Sequence, residues 1–201
     1  MLTIGLTGGI GAGKSEVARV LERLGAVVVN ADRLGHEAYR SGTQCFDEIV
    51  RAFGMEVVGA DGEVDRRRLG KVVFDAPGRR RELEGIVWPR IGEALVDRVR
   101  LERDRGVAGA VVVDAAVLLE AGWDALCDEV WVVAAPEGEV LRRLTRDGRM
   151  SEGDALARIR AQTTETRRAE RAAAVILNEG GLAQLARVAE SLWRERVAGK
   201  A

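Results

Sequence analysis

Eight residues near the N-terminus have the types and spacing to grip phosphate. Gly8-Gly9-Ile10-Gly11-Ala12-Gly13-Lys14-Ser15 fit the pattern G-x-x-x-x-G-K-[ST]. Glycines let the backbone curl so that successive N–H groups point inward. The first turn of a following helix adds unsatisfied N–H groups and the positive end of its dipole. In that setting Lys14 reaches the β- and γ-phosphates of a nucleoside triphosphate, and the Ser15 hydroxyl ligates Mg²⁺. A glycine-rich turn with an accidental Lys-Ser is the plain alternative, and the flanks argue against it. The apolar run Leu2-Thr3-Ile4-Gly5-Leu6 reads as a buried strand. Val17, Val20, Leu21 and Leu24 then share one helical face, and Gly25 follows as a stop.

Two acids stand where such a loop needs them. Asp32 closes Val27-Val28-Val29-Asn30-Ala31-Asp32, at the carboxyl end of a second strand, the edge at which ligands bind in open α/β sheets. A carboxylate there can accept the proton of an attacking hydroxyl, as a kinase base must. It equally suits the N-cap of the next helix, and the sequence leaves both open. Asp32-Arg33-Leu34-Gly35 also matches the D-x-x-G of GTP switches, but the base-reading N/T-K-x-D is absent downstream. Asp114 ends Ala110-Val111-Val112-Val113-Asp114, the form of a strand whose acid holds Mg²⁺ directly or through water. Many buried strands also end in Asp by chance. Glu120 follows shortly after and faces either the same cleft or solvent.

Arg142, Arg143, Arg146 and Arg149 cluster further on. Phosphoryl transfer spreads negative charge over the γ-phosphate oxygens, which an arginine-bearing lid can neutralise while excluding water. Arg142 and Arg146, at i and i+4, share a helix face. Because residues 142–171 are Arg-rich throughout, most of these side chains belong to a solvated surface, and two are expected to function.

The elements that must position these groups can be read from the apolar pattern. Short β-branched runs at Ala26–Val29, Ala110–Val113, Val130–Val133 and Val175–Leu177 alternate with helical stretches. That alternation predicts an α/β fold, a parallel five-stranded sheet between helices. Between Ala26–Val29 and Ala110–Val113 lie helical patterns near 31–40, 43–53, 65–74 and 78–105, too much for one crossover. A helical lobe is therefore inserted there, with Asp65 as an N-cap, Pro77 opening the fourth helix and a turn at Asp61-Gly62. Ser151 and Asp154 resemble a capping box at the start of a later helix. A last helix over about 182–197 carries Leu182, Leu185, Val188, Ala189 and Leu192 as core residues.

The 201 residues fit one domain with inserted lobes. Thirty-one Lys plus Arg against 32 Asp plus Glu offers no polyanion-binding surface, so no nucleic-acid partner is expected. No run approaches the about 18 apolar residues of a membrane span, and no signal-peptide pattern opens the chain. Cys45 and Cys127 have no metal-type spacing, and His36 is the only histidine. Two free thiols point to a cytoplasmic protein. A monomer or small homo-oligomer is expected, and the sequence does not fix which.

The ordered set of motifs resembles the dephospho-CoA kinase family. It comprises Leu6 to Ser15, Ala31-Asp32, Pro77 after Val73-Phe74-Asp75, Pro89-Arg90-Ile91 and Leu118-Leu119-Glu120-Ala121-Gly122. It continues through Arg146-Asp147-Gly148, Gln162, Arg168 and Val175-Ile176-x-Asn178. The resemblance implies a single kinase domain over 1–201. Its core would take in about 1–30, 107–146 and 172–201, with a helical CoA-substrate lobe over about 31–106 and a lid over about 147–171. It also implies ATP and dephospho-CoA as substrates, Asp32 as the base for the ribose 3′-hydroxyl, Arg142 as the lid arginine, and adenine contact at Asn178. Glu16 stands where Thr usually helps hold the α-phosphate, Asn30 replaces the first Asp of Asp-Ala-Asp, and Trp88 replaces a His. Ala116, Leu119, Ala173 and Leu177 depart likewise. A carboxylate at position 16 implies weaker nucleotide affinity, eased if its side chain turns into water. Two rivals remain at this stage: a P-loop kinase for another small metabolite or a nucleoside monophosphate, and a weakened nucleotide-binding interaction module.

Overall fold

A computed structural model describes residues 1–74, 76–106, 108–146, 150–160 and 165–200. Five strands, β1 (Leu2–Gly8), β2 (Ala26–Asn30), β3 (Ala110–Asp114), β4 (Glu129–Ala134) and β5 (Ala174–Leu177), form one sheet in the order β2-β3-β1-β4-β5. The pairings of β1 with β3, β1 with β4 and β4 with β5 are parallel. The expected α/β architecture is therefore present, with each strand beginning or ending within a residue or two of its apolar run.

Register explains why chemistry gathers at one edge. Leu6 lies opposite Asp114, Gly8 opposite Val133, and Ala134 opposite Leu177, so these four strands end together at their carboxyl termini. Strand β3 is buried from end to end, and β4 is buried apart from Glu129. This is the signature of central strands covered on both faces. On the outer strand β5, Ile176 is buried while Val175 and Leu177 are exposed.

Helices α1 (Lys14–Arg23) and α9 (Leu182–Arg196) pack together on the sheet. Ile4, Leu6, Val17, Leu21, Trp131, Ile176 and Leu185 form the shared core, all but inaccessible to water. Burying each such side chain stabilises by about 1.5–3 kcal/mol. At the amino end of the sheet, the Asp128 carboxylate accepts the Thr3 N–H at 2.7 Å, and Arg103 donates to the Thr3 hydroxyl at 2.8 Å. Helices α6 (Glu137–Thr145), α7 (Glu152–Arg160) and α8 (Glu165–Arg171) precede β5. The Asp154 N–H donates to the Ser151 hydroxyl at 3.1 Å at the start of α7, as the capping pattern anticipated.

The chain forms two compact units, Met1–Val29 with Val99–Ala201, and Asn30–Arg98. The second contains α2 (Ala31–Ala38), α3 (Gln44–Phe53), α4 (Arg66–Phe74) and most of α5 (Pro77–Arg105). Its own core gathers Cys45, Ile49, Phe53, Val57, Val64 and Leu69. Each of the first three helices is capped by a polar side chain, because the first backbone N–H groups of a helix have no partner within it. Asn30 Oδ1 accepts from Arg33 N at 2.9 Å, Thr43 Oγ1 from Phe46 N at 3.1 Å, and Asp65 Oδ1 from Arg67 N at 2.9 Å. Asp65 Oδ1 also accepts from Arg68 N at 3.1 Å, and the bonds from Arg68 and Arg67 hold the Asp65 carboxyl below its ordinary value. Asp75, Asp147, Gly148, Arg149 and Gln162, named from the sequence, lie outside the described residues.

Candidate active site

The expected strand–loop–helix is formed by β1, residues 9–13 and α1. Gly8 is the last residue of β1, where an added Cβ would sit 2.5 Å from the Val133 carbonyl oxygen. Only glycine allows that approach between two central strands. Within the loop, Ala12 N donates to Gly9 O at 3.2 Å, which closes the first turn. Gly13 has φ +105°, and a Cβ there would stand 2.6 Å from Asn178 Nδ2 and 2.8 Å from Leu185. Both the backbone and the space demand glycine at that point. Lys14, Ser15 and Glu16 make up the first turn of α1, and their amide groups lie at its positive end.

Lys14 and Asp114 meet: the Lys14 ammonium donates to Asp114 Oδ1 in a partly buried ion pair. The Asp114 residue is only 4% exposed at the end of β3. Ser15 is exposed on the first turn of α1. An alcohol and a carboxylate are hard oxygen donors, which suit Mg²⁺; that ion binds one or two protein oxygens and completes its shell with phosphates and water. The donor chemistry therefore fits. Glu16 turns to Arg19, whose guanidinium donates to its carboxylate at 2.8 Å.

Asp32 belongs to the unit Asn30–Arg98 and is exposed on the first turn of α2. The capping role that the sequence left open for it is filled by Asn30.

The adjacent arginines on α6 reach different partners. Arg142 is largely exposed and donates to Glu139 at 2.8 Å; that bond raises the Arg142 pKa and lowers that of Glu139. Arg146, just past the end of α6, is exposed. Arg143, not singled out from the sequence, is the one that touches the loop. It donates through Nη1 to Gly11 O at 3.1 Å and through Nη2 to Asn178 Oδ1 at 3.2 Å. Asn178 is buried one residue beyond β5; its N–H donates to Ala134 O and its Nδ2 to Ala12 O, each at 2.8 Å. Arg143 lies three residues after buried Val140, whose side chain comes within 3.2 Å of the Gly11 Cβ position; that packing of α6, which the sequence does not reveal, brings Arg143 to the loop.

Comparison with known proteins identifies what this constellation belongs to. The family model for dephospho-CoA kinase matches residues 2–184. The chain belongs to the dephospho-CoA kinase family. A dephospho-CoA kinase of Geobacter metallireducens is 44% identical over 198 residues, 98% of each chain. Among solved structures, a Thermus thermophilus protein matches with TM-score 0.78 at 35% identity, over 97% of both chains. Dephospho-CoA kinase from Campylobacter jejuni matches with TM-score 0.75 at 21% identity, over 99% of this chain and 98% of that one, a likeness of fold. Membership of the dephospho-CoA kinase family makes this chain a transferase that phosphorylates dephospho-CoA with ATP in coenzyme A biosynthesis. Among the described residues no helix is long and apolar enough to cross a membrane.

Proposed function

We propose how this chain divides that reaction among its residues. The loop N–H groups and Lys14 hold the triphosphate, while Ser15 and Asp114 would hold Mg²⁺. Once bound, that ion would supply positive charge against the negative charge that builds on the transferring phosphate. Asp32 takes the proton from the ribose 3′-hydroxyl of dephospho-CoA as that oxygen attacks the γ-phosphorus. The new P–O bond forms as the bond to the β-phosphate oxygen breaks; ADP leaves, and the proton ends on the Asp32 carboxylate. Arg142 and Arg146, both exposed cations next to the Arg143 anchor, neutralise the equatorial oxygens. The helical unit Asn30–Arg98 receives the CoA substrate, and residues 147–171 serve as the lid.

The meeting of Lys14 and Asp114 at the head of the glycine loop carries this reading. That pair sets a cation and an oxygen ligand side by side where β1 and β3 end. We further propose a cytoplasmic enzyme, monomeric or a small homo-oligomer, acting on small molecules rather than nucleic acid or membrane. Its free Cys45 and Cys127 suit a reducing compartment.

The test is ADP release from Mg·ATP with dephospho-CoA as acceptor, set beside a panel of nucleoside monophosphates. Turnover is expected with dephospho-CoA alone. Turnover confined to a monophosphate, or ATP binding with no turnover on any acceptor, would overturn the assignment.

A further inference from the structure

The phosphate loop is gripped from behind at two consecutive carbonyls. Arg143 donates to Gly11 O at 3.1 Å, and Asn178 Nδ2 donates to Ala12 O at 2.8 Å. The two side chains are joined to each other, since Arg143 Nη2 also reaches Asn178 Oδ1 at 3.2 Å and Asn178 O at 3.3 Å. Both ends of the Asn178 amide are thus engaged within the protein. Its backbone is fixed as well, through the bond to Ala134 O that extends the β4–β5 ladder by one residue.

Peptide geometry turns this grip into control of the cradle. In a trans peptide the C=O and the following N–H point in opposite directions. Drawing the Ala12 carbonyl toward Asn178 therefore aims the Gly13 N–H the other way, into the loop. Drawing the Gly11 carbonyl toward Arg143 likewise fixes the next amide, which closes the turn onto Gly9 O. Left to itself, a glycine-rich loop samples many conformations, because glycine loses the most freedom on ordering.

We infer that Arg143 and Asn178 are positioning residues that hold the glycine loop in its phosphate-binding curve, and that Asn178 acts on the polyphosphate through the loop backbone rather than on the base. This rests on the triphosphate cradle assigned above. The clamp couples three separate elements, α6, the end of β5 and the loop, and its influence reaches every ligand carrying a polyphosphate.

The decisive probe is a polyphosphate with no base. Inhibition of the kinase by Mg²⁺-tripolyphosphate and the KM for ATP would be measured for the wild type, Asn178→Ala and Arg143→Lys. Both constants are expected to rise together, by about tenfold in each variant, the effect of losing one well-made hydrogen bond and the order it imposes. The KM for dephospho-CoA and the ratio of ATP to GTP use should hold within about twofold. Combining the two substitutions should cost less than the product of their separate effects, because the side chains share one network. If Asn178→Ala fails to fold, the partly exposed Arg143→Lys tests the same carbonyl clamp. Weaker ATP binding with unchanged tripolyphosphate inhibition would mean contact with the base and would overturn the inference, as would unchanged values for both ligands. Lys14→Ala separates the two levels. Should that variant bind tripolyphosphate as the wild type does, the cradle itself is misassigned and the clamp falls with it.

Discussion

Asp114 and Asp32 both follow runs of valine, yet the two compact units hold them in contrasting ways. In the sheet-bearing unit, Asp114 is buried, fixed by β3 and tied to an ammonium. In the unit Asn30–Arg98, Asp32 stands exposed on the first turn of a short helix whose cap is supplied by its neighbour Asn30. Asp114 is thus placed by long-range contacts across the sheet, and Asp32 by local ones within its own helix.

That contrast can be broken most severely at Asp32. Asp32→Asn is expected to lower turnover by about two orders of magnitude or more, with ATP affinity little changed, because under the proposed mechanism it removes the base and leaves the cradle intact. ADP-release kinetics beside direct ATP binding will show it; near-normal turnover would strip Asp32 of the role. Asp114→Asn should act on the other side of the comparison. Loss of a metal-orienting carboxylate costs roughly 10–100-fold in activity or metal affinity, and here the required Mg²⁺ concentration should rise with it. An unaltered Mg²⁺ titration would contradict the assignment.

Smaller effects sharpen the picture. Asn30→Ala removes a helix cap and should destabilise by about 1 kcal/mol, visible as a lower melting temperature, whereas Asn30→Asp keeps the acceptor and should be nearly neutral. Equal losses from both would show that something other than the capping bond matters at that position. Burial, aided by Asp124 and Asp128, pushes the Cys127 thiol from its ordinary value near 9 up to about 12. The neutral form is favoured in the fold, so this contribution to stability is complete below pH 9 and is lost as pH climbs toward 12. Slow alkylation of the native protein at pH 9, against rapid reaction once unfolded, is the expected readout. Last, Glu16→Thr should tighten ATP by only a few-fold, since pairing with Arg19 and solvent screening already soften the carboxylate's repulsion. A tenfold gain in affinity would mean that Glu16 faces the phosphates after all.

Local features were legible in the sequence because they depend on local physics. Valine-rich runs marked the strands, Gly8 to Ser15 marked the loop, and Asp65 and Ser151 marked helix starts, each through backbone needs that a few neighbouring residues reveal. The order β2-β3-β1-β4-β5 was not legible, because it depends on which strands meet after long crossovers. Nor were the different partners of Arg142 and Arg143. Adjacent residues on a helix point about 100° apart, and which direction faces the loop depends on how α6 packs. Asn178 was picked out by resemblance; its double amide engagement with Ala12 and Arg143 emerges only when the end of β5 is brought alongside a segment some 166 positions earlier.

The bond between Lys14 and Asp114 has an electrical consequence. An ammonium and a carboxylate in contact largely cancel, so the pair carries almost no net charge and its field fades quickly with distance. The positive end of α1 is then the nearer source of positive potential at the glycine loop.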